Sequence, residues 1–381
     1  MKVLYLGGFD LPDKNAAAQR VVANAKILRA LGYNVTLVGL DKVPGEFEFE
    51  GFRCVNLKYP STLHEWLQHL ASIKQYQPFL EETGVGLVIA YNHPAAALEK
   101  LLNYNRKWNV KTLSDCTEWY EPQGNWLFRK IKGLDVDKRM YDVHCRLDGI
   151  ITISRYLDDF YHSKGVKTLL LPPLVDKQDK KWQTKGEVLQ DGDIIRLLYA
   201  GSPGGTKDRL DIIIEALAAI AGEPCRFRFD VIGIDEQQYR SVYMNGGQGQ
   251  IPAFVHFHGR LPHKEAVAAL KEADFQIFLR DDHLANRAGF PTKFAEAISA
   301  GTIVLTNASS NLKDYMVEGK NSFELDISSP ERLAETLAKP LSLQREEIQN
   351  IKVNLNSNLF DYHNFINLTE QFLHSVYEEN S

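Results

Sequence analysis

Short apolar runs alternate with longer amphipathic stretches from one end of the chain to the other, the pattern of βα units and parallel sheets. In the first half, "VLYL" (3–6), "VTLVGL" (35–40), "GLVIAY" (86–91), "VKTLS" (110–114) and "GIITI" (149–153) read as strands. Between the first two, Ala18, Val21, Val22, Ala25 and Leu28 recur at helical spacing over 16–31, and Gly32 follows as a C-terminal glycine should. The second half restarts the pattern with "IRLLYA" (195–200), "FRFDVI" (227–232), "VHFHG" (255–259), "FQIFL" (275–279) and "TIVLT" (302–306). Between the halves, 176–193 is polar with almost no periodicity, and "LLLPPLVD" (169–176) ahead of it supplies a Pro-Pro stop. The boundary is expected near residue 174, giving domains 1–174 and 175–360, with a last amphipathic run in 361–381 returning to the first domain. The expected fold is α/β: two Rossmann-like parallel-sheet domains facing across a cleft, with ligands at the carboxyl ends of the strands.

Composition narrows the function. The 381 residues carry a formal net charge of −5, which argues against a nucleic-acid partner held by bulk electrostatics. Four scattered cysteines (Cys54, Cys116, Cys145, Cys225) show no CxxC pair and no metal-like spacing, which suits a reducing cytosol. "MKVLYLGGFD" runs straight into a strand without a cleavage pattern, and no apolar run approaches the length that spans a bilayer. A cytoplasmic protein is expected.

Three stretches could carry chemistry. In "LGGFDLPDKNAAAQR" (6–20), Gly7 and Gly8 close the first strand and let backbone approach a ligand, or simply make a tight turn. GxGxxG is absent and no acid follows the second strand to bind ribose, so a dinucleotide enzyme is disfavoured. Arg20 could face the cleft or solvent. In "AGSPGGTKDRLDIIIEAL" (200–217), a strand, a loop with Ser202 and Gly204, then Lys207 and a helix form a recipe for holding a diphosphate. The bland alternative is a surface helix with a solvated lysine. In "GFPTKFAEAISAGTIVLTN" (289–307), Pro291 near the first helical position brings Thr292 and Lys293 beside a positive helix end, with Glu296 a turn further in. Glu296 could equally be a partner of the helix dipole.

"AGSPGGTKD", "HGRLPHKEAVAALKEADFQIFL" (258–279) and "GFPTKFAEAISAGTIVLTNASSNLKDYM" (289–316) together resemble the retaining glycosyltransferases of the GT-B fold, glycosyltransferase family 4. The "GG…R…AKILRALGYNVTLVG" opening and "IITISRYLDDFY…LLLPPLVD" (150–176) extend the likeness over nearly the whole chain. The resemblance implies a nucleotide-sugar donor and a glycan or lipid-linked acceptor, with no metal and no further cofactor. Lys207 would bind the donor diphosphate and Glu296 the nucleotide ribose. Backbone around Phe290, Pro291 and Thr292 would touch phosphate, the turn at Arg260 and Leu261 would hold the base, and Gly8 would line the acceptor or phosphate side.

Two departures stand out. An arginine commonly precedes the lysine in that family, and this loop has Ser202; the family's first glutamate corresponds to Ala288. Asp281 and Asp282 could stand in, though a loop cap is the simpler role. A non-catalytic nucleotide- or glycan-binding subunit and a sugar-nucleotide epimerase are the rival readings. On the N-terminal side, Asp115 in "TLSDCTEWYEP" (112–122) ends a strand and could accept a proton, bind a sugar hydroxyl or cap a turn. His93 reads as a loop histidine satisfied by backbone. "NWLFRKIKGLDVDKRMYDVHCR" (125–146) mixes aromatic and basic residues as an interfacial helix would, which makes peripheral contact with the inner membrane face one reading. Burial of its aromatic side against its own domain is the simpler expectation.

Overall fold

The computed structural model describes residues 1–12, 14–122, 124–183, 194–203, 208–244 and 249–378. They form two compact units, one of Met1–Val175, Arg287–Phe290 and Tyr362–Ser381, the other of Asp176–Asn286 and Pro291–Asp361.

The first unit is built on eight strands: β1 (Lys2–Gly7), β2 (Asn34–Asp41), β3 (Gly45–Phe49), β4 (Phe52–Lys58), β5 (Val85–Tyr91), β6 (Lys111–Cys116), β7 (Gly149–Thr152) and β8 (Thr168–Leu170). Their order is β3-β4-β2-β1-β5-β6-β7-β8, parallel throughout except for β3, which turns back on β4. Alternate residues of β1 feed two cores. Val3 and Tyr5 pack on one face with Val21, Ala25 and Leu28 of the helix Ala16–Ala30; Leu4 and Leu6 pack on the other with Leu98 and Leu101 of the helix Ala95–Lys107. Burial on both faces is what a central parallel strand requires. The C-terminal helix Ile366–Tyr377 joins the first core through Phe372, Leu373 and Val376, each worth about 1.5–3 kcal/mol when fully buried.

The second unit holds six parallel strands: β9 (Ile195–Ala200), β10 (Phe227–Ile232), β11 (Val255–Gly259), β12 (Phe275–Ile277), β13 (Ile303–Thr306) and β14 (Ser322–Glu324). Their order is β11-β10-β9-β12-β13-β14. In each sheet the chain reverses its direction of travel beside the first strand, between β1 and β5 and between β9 and β12. Ligands of open α/β sheets bind at the carboxyl ends of strands at such switch points. Both therefore fix where a site is to be sought.

Strands β3, β4, β8 and β14 were not among those expected from the sequence, and β12 stops at Ile277 rather than Leu279. Two of the additions have only three residues, too few to display a period. No described helix is long and apolar enough to cross a membrane.

Candidate functional site

At the first switch point Gly7 has φ +154°, and a Cβ there would lie 2.6 Å from the Tyr91 carbonyl oxygen, so only glycine fits. Gly8 beside it is exposed, with open space where a side chain would be. Beneath them Asp115 is fully buried, which corrects the expectation of an accessible carboxylate or turn cap at that strand end. Arg20 is buried rather than solvent-facing: its Nε and Nη2 donate to Asp115 at 2.8–3.0 Å, and its Nη1 donates to the Leu171 and Pro172 carbonyls. Tyr5 donates its hydroxyl to Asp115 Oδ2 at 2.6 Å. Both carboxylate oxygens are thus committed.

His93 also departs from expectation. It is buried against Tyr76 and His69, and its Nε2 has no hydrogen-bond partner. Burial, with His69 and Arg139 adding like charge, pushes the imidazole down to about 3, so it is neutral at physiological pH.

At the second switch point the loop after β9 begins with Gly201 and exposed Ser202. Gly204 and Lys207 lie outside the described residues. Asp208, the next described residue, is fully buried and gathers three donors: Tyr199 Oη at 2.7 Å, Lys293 Nζ at 2.9 Å and Arg280 Nε at 3.2 Å. Burial alone would raise its carboxyl pKa, but Lys293 and Arg280 hold it below the ordinary value. Lys293 comes from the helix Thr292–Ala300, in which Pro291 is the N-cap with extended backbone rather than a helical residue. The helix ends at Gly301, whose φ of +79° suits a left-handed cap.

Glu296, the fifth residue of that helix, is half-buried and places Oε1 3.3 Å from His263 Nε2. His263 opens the helix His263–Glu272, just after exposed Arg260 and Leu261 at the end of β11. Asp281 is paired with Arg209 at 3.2 Å and accepts from Asn286 through its carbonyl, roles of a loop brace. Ala288 is fully buried, and its carbonyl accepts from Ser154 Oγ at 2.6 Å; Phe290, two residues on, is buried as well.

The sequence reading missed Asp208 and Arg280. The signal was faint: an acid directly after a candidate lysine, and an arginine directly after the apolar run "FQIFL". The helix Trp126–Lys138 overturns another expectation, because Trp126, Phe128, Ile131 and Leu134 are each half or more exposed, and Arg129, Lys130 and Lys138 are exposed beside them. Its aromatic residues Trp126 and Phe128 are not buried, whereas Val136 is.

Residues 181–355 match the family model described as glycosyl transferases group 1. No curated protein sequence matches the chain. Solved structures do. Sucrose-phosphate synthase from Thermosynechococcus elongatus superposes with a TM-score of 0.68 at 14% identity, over 99% of this chain and 98% of that one. HepE of Anabaena, in complex with UDP and glucose, gives 0.66 at 12% identity over 98% and 100%. The catalytic domain of starch synthase IV from Arabidopsis thaliana, bound to ADP and acarbose, gives 0.69 at 11% over 99% and 99%. These likenesses define a GT-B fold, and with the group 1 match in the second unit the chain is a glycosyltransferase.

Proposed function

We propose that this glycosyltransferase is a retaining enzyme of glycosyltransferase family 4. In this reading it moves a sugar from a nucleoside-diphosphate donor to a glycan or lipid-linked acceptor during surface polysaccharide or glycoconjugate synthesis. The observation that carries the donor assignment is the second switch point. There the helix Thr292–Ala300 opens beside the end of β9, with Lys293 and Arg280 close together and Glu296 further along the helix. A helix N-terminus with fixed cations suits a diphosphate. HepE with UDP and glucose, and starch synthase IV with ADP and acarbose, are GT-B structures that hold such groups.

For retention, the acceptor hydroxyl attacks the anomeric carbon from the side on which the diphosphate leaves. The carbon–oxygen bond to phosphate breaks, the bond to the acceptor forms on the same face, and the hydroxyl proton passes to a departing phosphate oxygen. The protein's part is charge stabilisation, with Lys207 as the expected diphosphate ligand, and orientation. The commitment of both Asp115 oxygens to Arg20 and Tyr5 supports a route in which the donor phosphate, and not that carboxylate, takes the proton.

The test is incubation with UDP-, ADP- and GDP-sugars and glycan acceptors, reading the anomeric coupling of the product by NMR. A product with the donor's configuration is expected. An inverted product overturns retention, and a protein that consumes no donor overturns the donor class.

The exposed Trp126, Phe128, Ile131 and Leu134, interleaved with Arg129 and Lys130, support an acceptor met at an anionic membrane surface. Leu63 and Leu67 are exposed on the helix Leu63–Ala71, whose His69 is near enough to Lys132 for that charge to add to burial in lowering its pKa. Four free cysteines fit the cytoplasmic side. Co-sedimentation with phosphatidylglycerol vesicles, but not phosphatidylcholine, is expected, and Phe128→Ser with Ile131→Ser should abolish it. A wild type that stays in solution with both vesicles overturns this part.

A further inference from the structure

The group around Asp208 has a charge balance that its burial does not call for. One carboxylate is met by two cations, Lys293 and Arg280, and all three side chains are nearly withdrawn from water. A single cation is enough to neutralise a buried aspartate. Tyr199 adds a further neutral donor at 2.7 Å. The surplus positive charge lies beside the carboxyl ends of β9 and β12, where a sheet of this order receives its ligand. Burying unbalanced charge is costly unless something of opposite sign completes the group.

Lys293 is the member with capacity left. An ammonium has three donors, and one of them is given to Asp208. The side chain keeps 12% of its surface open. It cannot wander, because Asp208 holds it and it rests 5.1 Å from the centre of the Tyr199 ring. Its end abuts the loop: a Cβ built on Gly201 would come within 2.5 Å of both Cε and Nζ. The fixed ammonium therefore lies against the start of the 201–203 loop, where Ser202 supplies no charge.

We infer that Lys293 is a second cation for the donor diphosphate, delivered from the helix instead of from the loop, and that Asp208 is its positioning residue. Arg280 neutralises Asp208, so the lysine's charge is released for the ligand although its position is still dictated by the carboxylate. The inference rests on the donor reading above, and names the side chain that makes the loop workable without an arginine.

The experiment is isothermal titration of wild type, Lys293→Met, Lys293→Arg and Lys293→Met with Ser202→Arg, using UDP, ADP and GDP and, for whichever binds, its parent nucleoside. Urea denaturation of each variant runs alongside. Lys293→Met should bind the diphosphate about tenfold to a hundredfold more weakly, the loss of one charge-assisted contact, while nucleoside affinity stays as it was. Lys293→Arg and the double variant should each recover most of the loss, because a cation is restored from the helix or from the loop. A folded Lys293→Met that binds the diphosphate like wild type overturns the inference and leaves the donor reading standing. Equal losses for diphosphate and nucleoside, or no recovery with a cation restored, overturn it too, since the lysine would then only shape the site. A wild type that binds none of the three diphosphates removes the donor reading and this inference with it.

Discussion

In each unit a tyrosine of the first strand donates to a buried aspartate, Tyr5 to Asp115 at 2.6 Å and Tyr199 to Asp208 at 2.7 Å. The company of the two aspartates differs. Asp115 is matched by one arginine, which also donates to the Leu171 and Pro172 carbonyls, so the charges balance one to one. Asp208 is matched by two cations, one of which still reaches the surface. Burial of a carboxylate beside a cation is thus not in itself the mark of a site. A one-to-one cluster is a clamp; a surplus of one sign at a switch point, with no counter-charge among the described residues, calls for a partner.

The largest expected effect tests the closed cluster. Arg20→Met leaves Asp115 buried without a counter-charge and should cost about 3–5 kcal/mol of stability, enough to threaten folding. Replacing both members, Arg20→Met with Asp115→Leu, should recover most of that, because no stranded charge remains. Urea denaturation measures both. An Arg20→Met protein as stable as wild type would show that the cluster is no clamp, and the contrast between the two units would collapse.

This pair also shows where sequence reading reaches its limit. The βα order was legible because each strand is a contiguous apolar run, and β9, β10 and β11 fall on the residues their runs mark out. The candidate helix end with Thr292, Lys293 and Glu296 was legible for the same reason: its signals lie within eight residues of one another. Asp115 was not, because what closes it is Arg20, 95 positions earlier in the chain. An acid at the end of an apolar run looks accessible until a distant partner is known. Asp208 was hidden likewise, since Lys293 and Arg280 reach it from other elements. The helix Trp126–Lys138 failed in the opposite direction: an amphipathic pattern tells which side is apolar and not whether anything covers it.

A middle-sized effect separates the two units by pH. His93, at the end of β5, is held neutral down to about pH 3 by burial first and then by His69 and Arg139. The unfolded chain takes up a proton near pH 6.5 that the folded one refuses, so stability is fully present above 6.5 and lost as pH falls toward 3. By pH 5 the loss is about 2 kcal/mol at 1.36 kcal/mol per unit, and His93→Gln should flatten that part of the profile. Asp208 works lower down. Its depressed pKa contributes stability above the ordinary carboxylate value of about 4, and the contribution fades as pH drops through its folded value. Acid denaturation of wild type and His93→Gln should therefore diverge between pH 6.5 and 5. Superimposable curves there would mean that His93 takes up its proton in the folded state.

The smallest effect concerns Glu296, which sharpens the open side of the comparison. On the donor reading its carboxylate accepts from the ribose hydroxyls of the nucleotide, whereas its observed partner is His263 at 3.3 Å. These roles predict different losses. Exchanging carboxylate for amide in Glu296→Gln turns a charged acceptor into a neutral one, a difference of about 1 kcal/mol per hydrogen bond. If the ribose is the partner, affinity for the nucleoside diphosphate falls by that amount, and the loss vanishes when the ligand is the 2′,3′-dideoxy form. If His263 or the helix dipole is the partner, the melting temperature drops slightly and both ligands bind the variant as they bind wild type. The dideoxy ligand decides the matter, because it removes the hydroxyls without touching the protein. Equal weakening toward the ribose and dideoxy forms would mean that Glu296 acts on the nucleotide through the position of the helix, and its assignment to the ribose would fall.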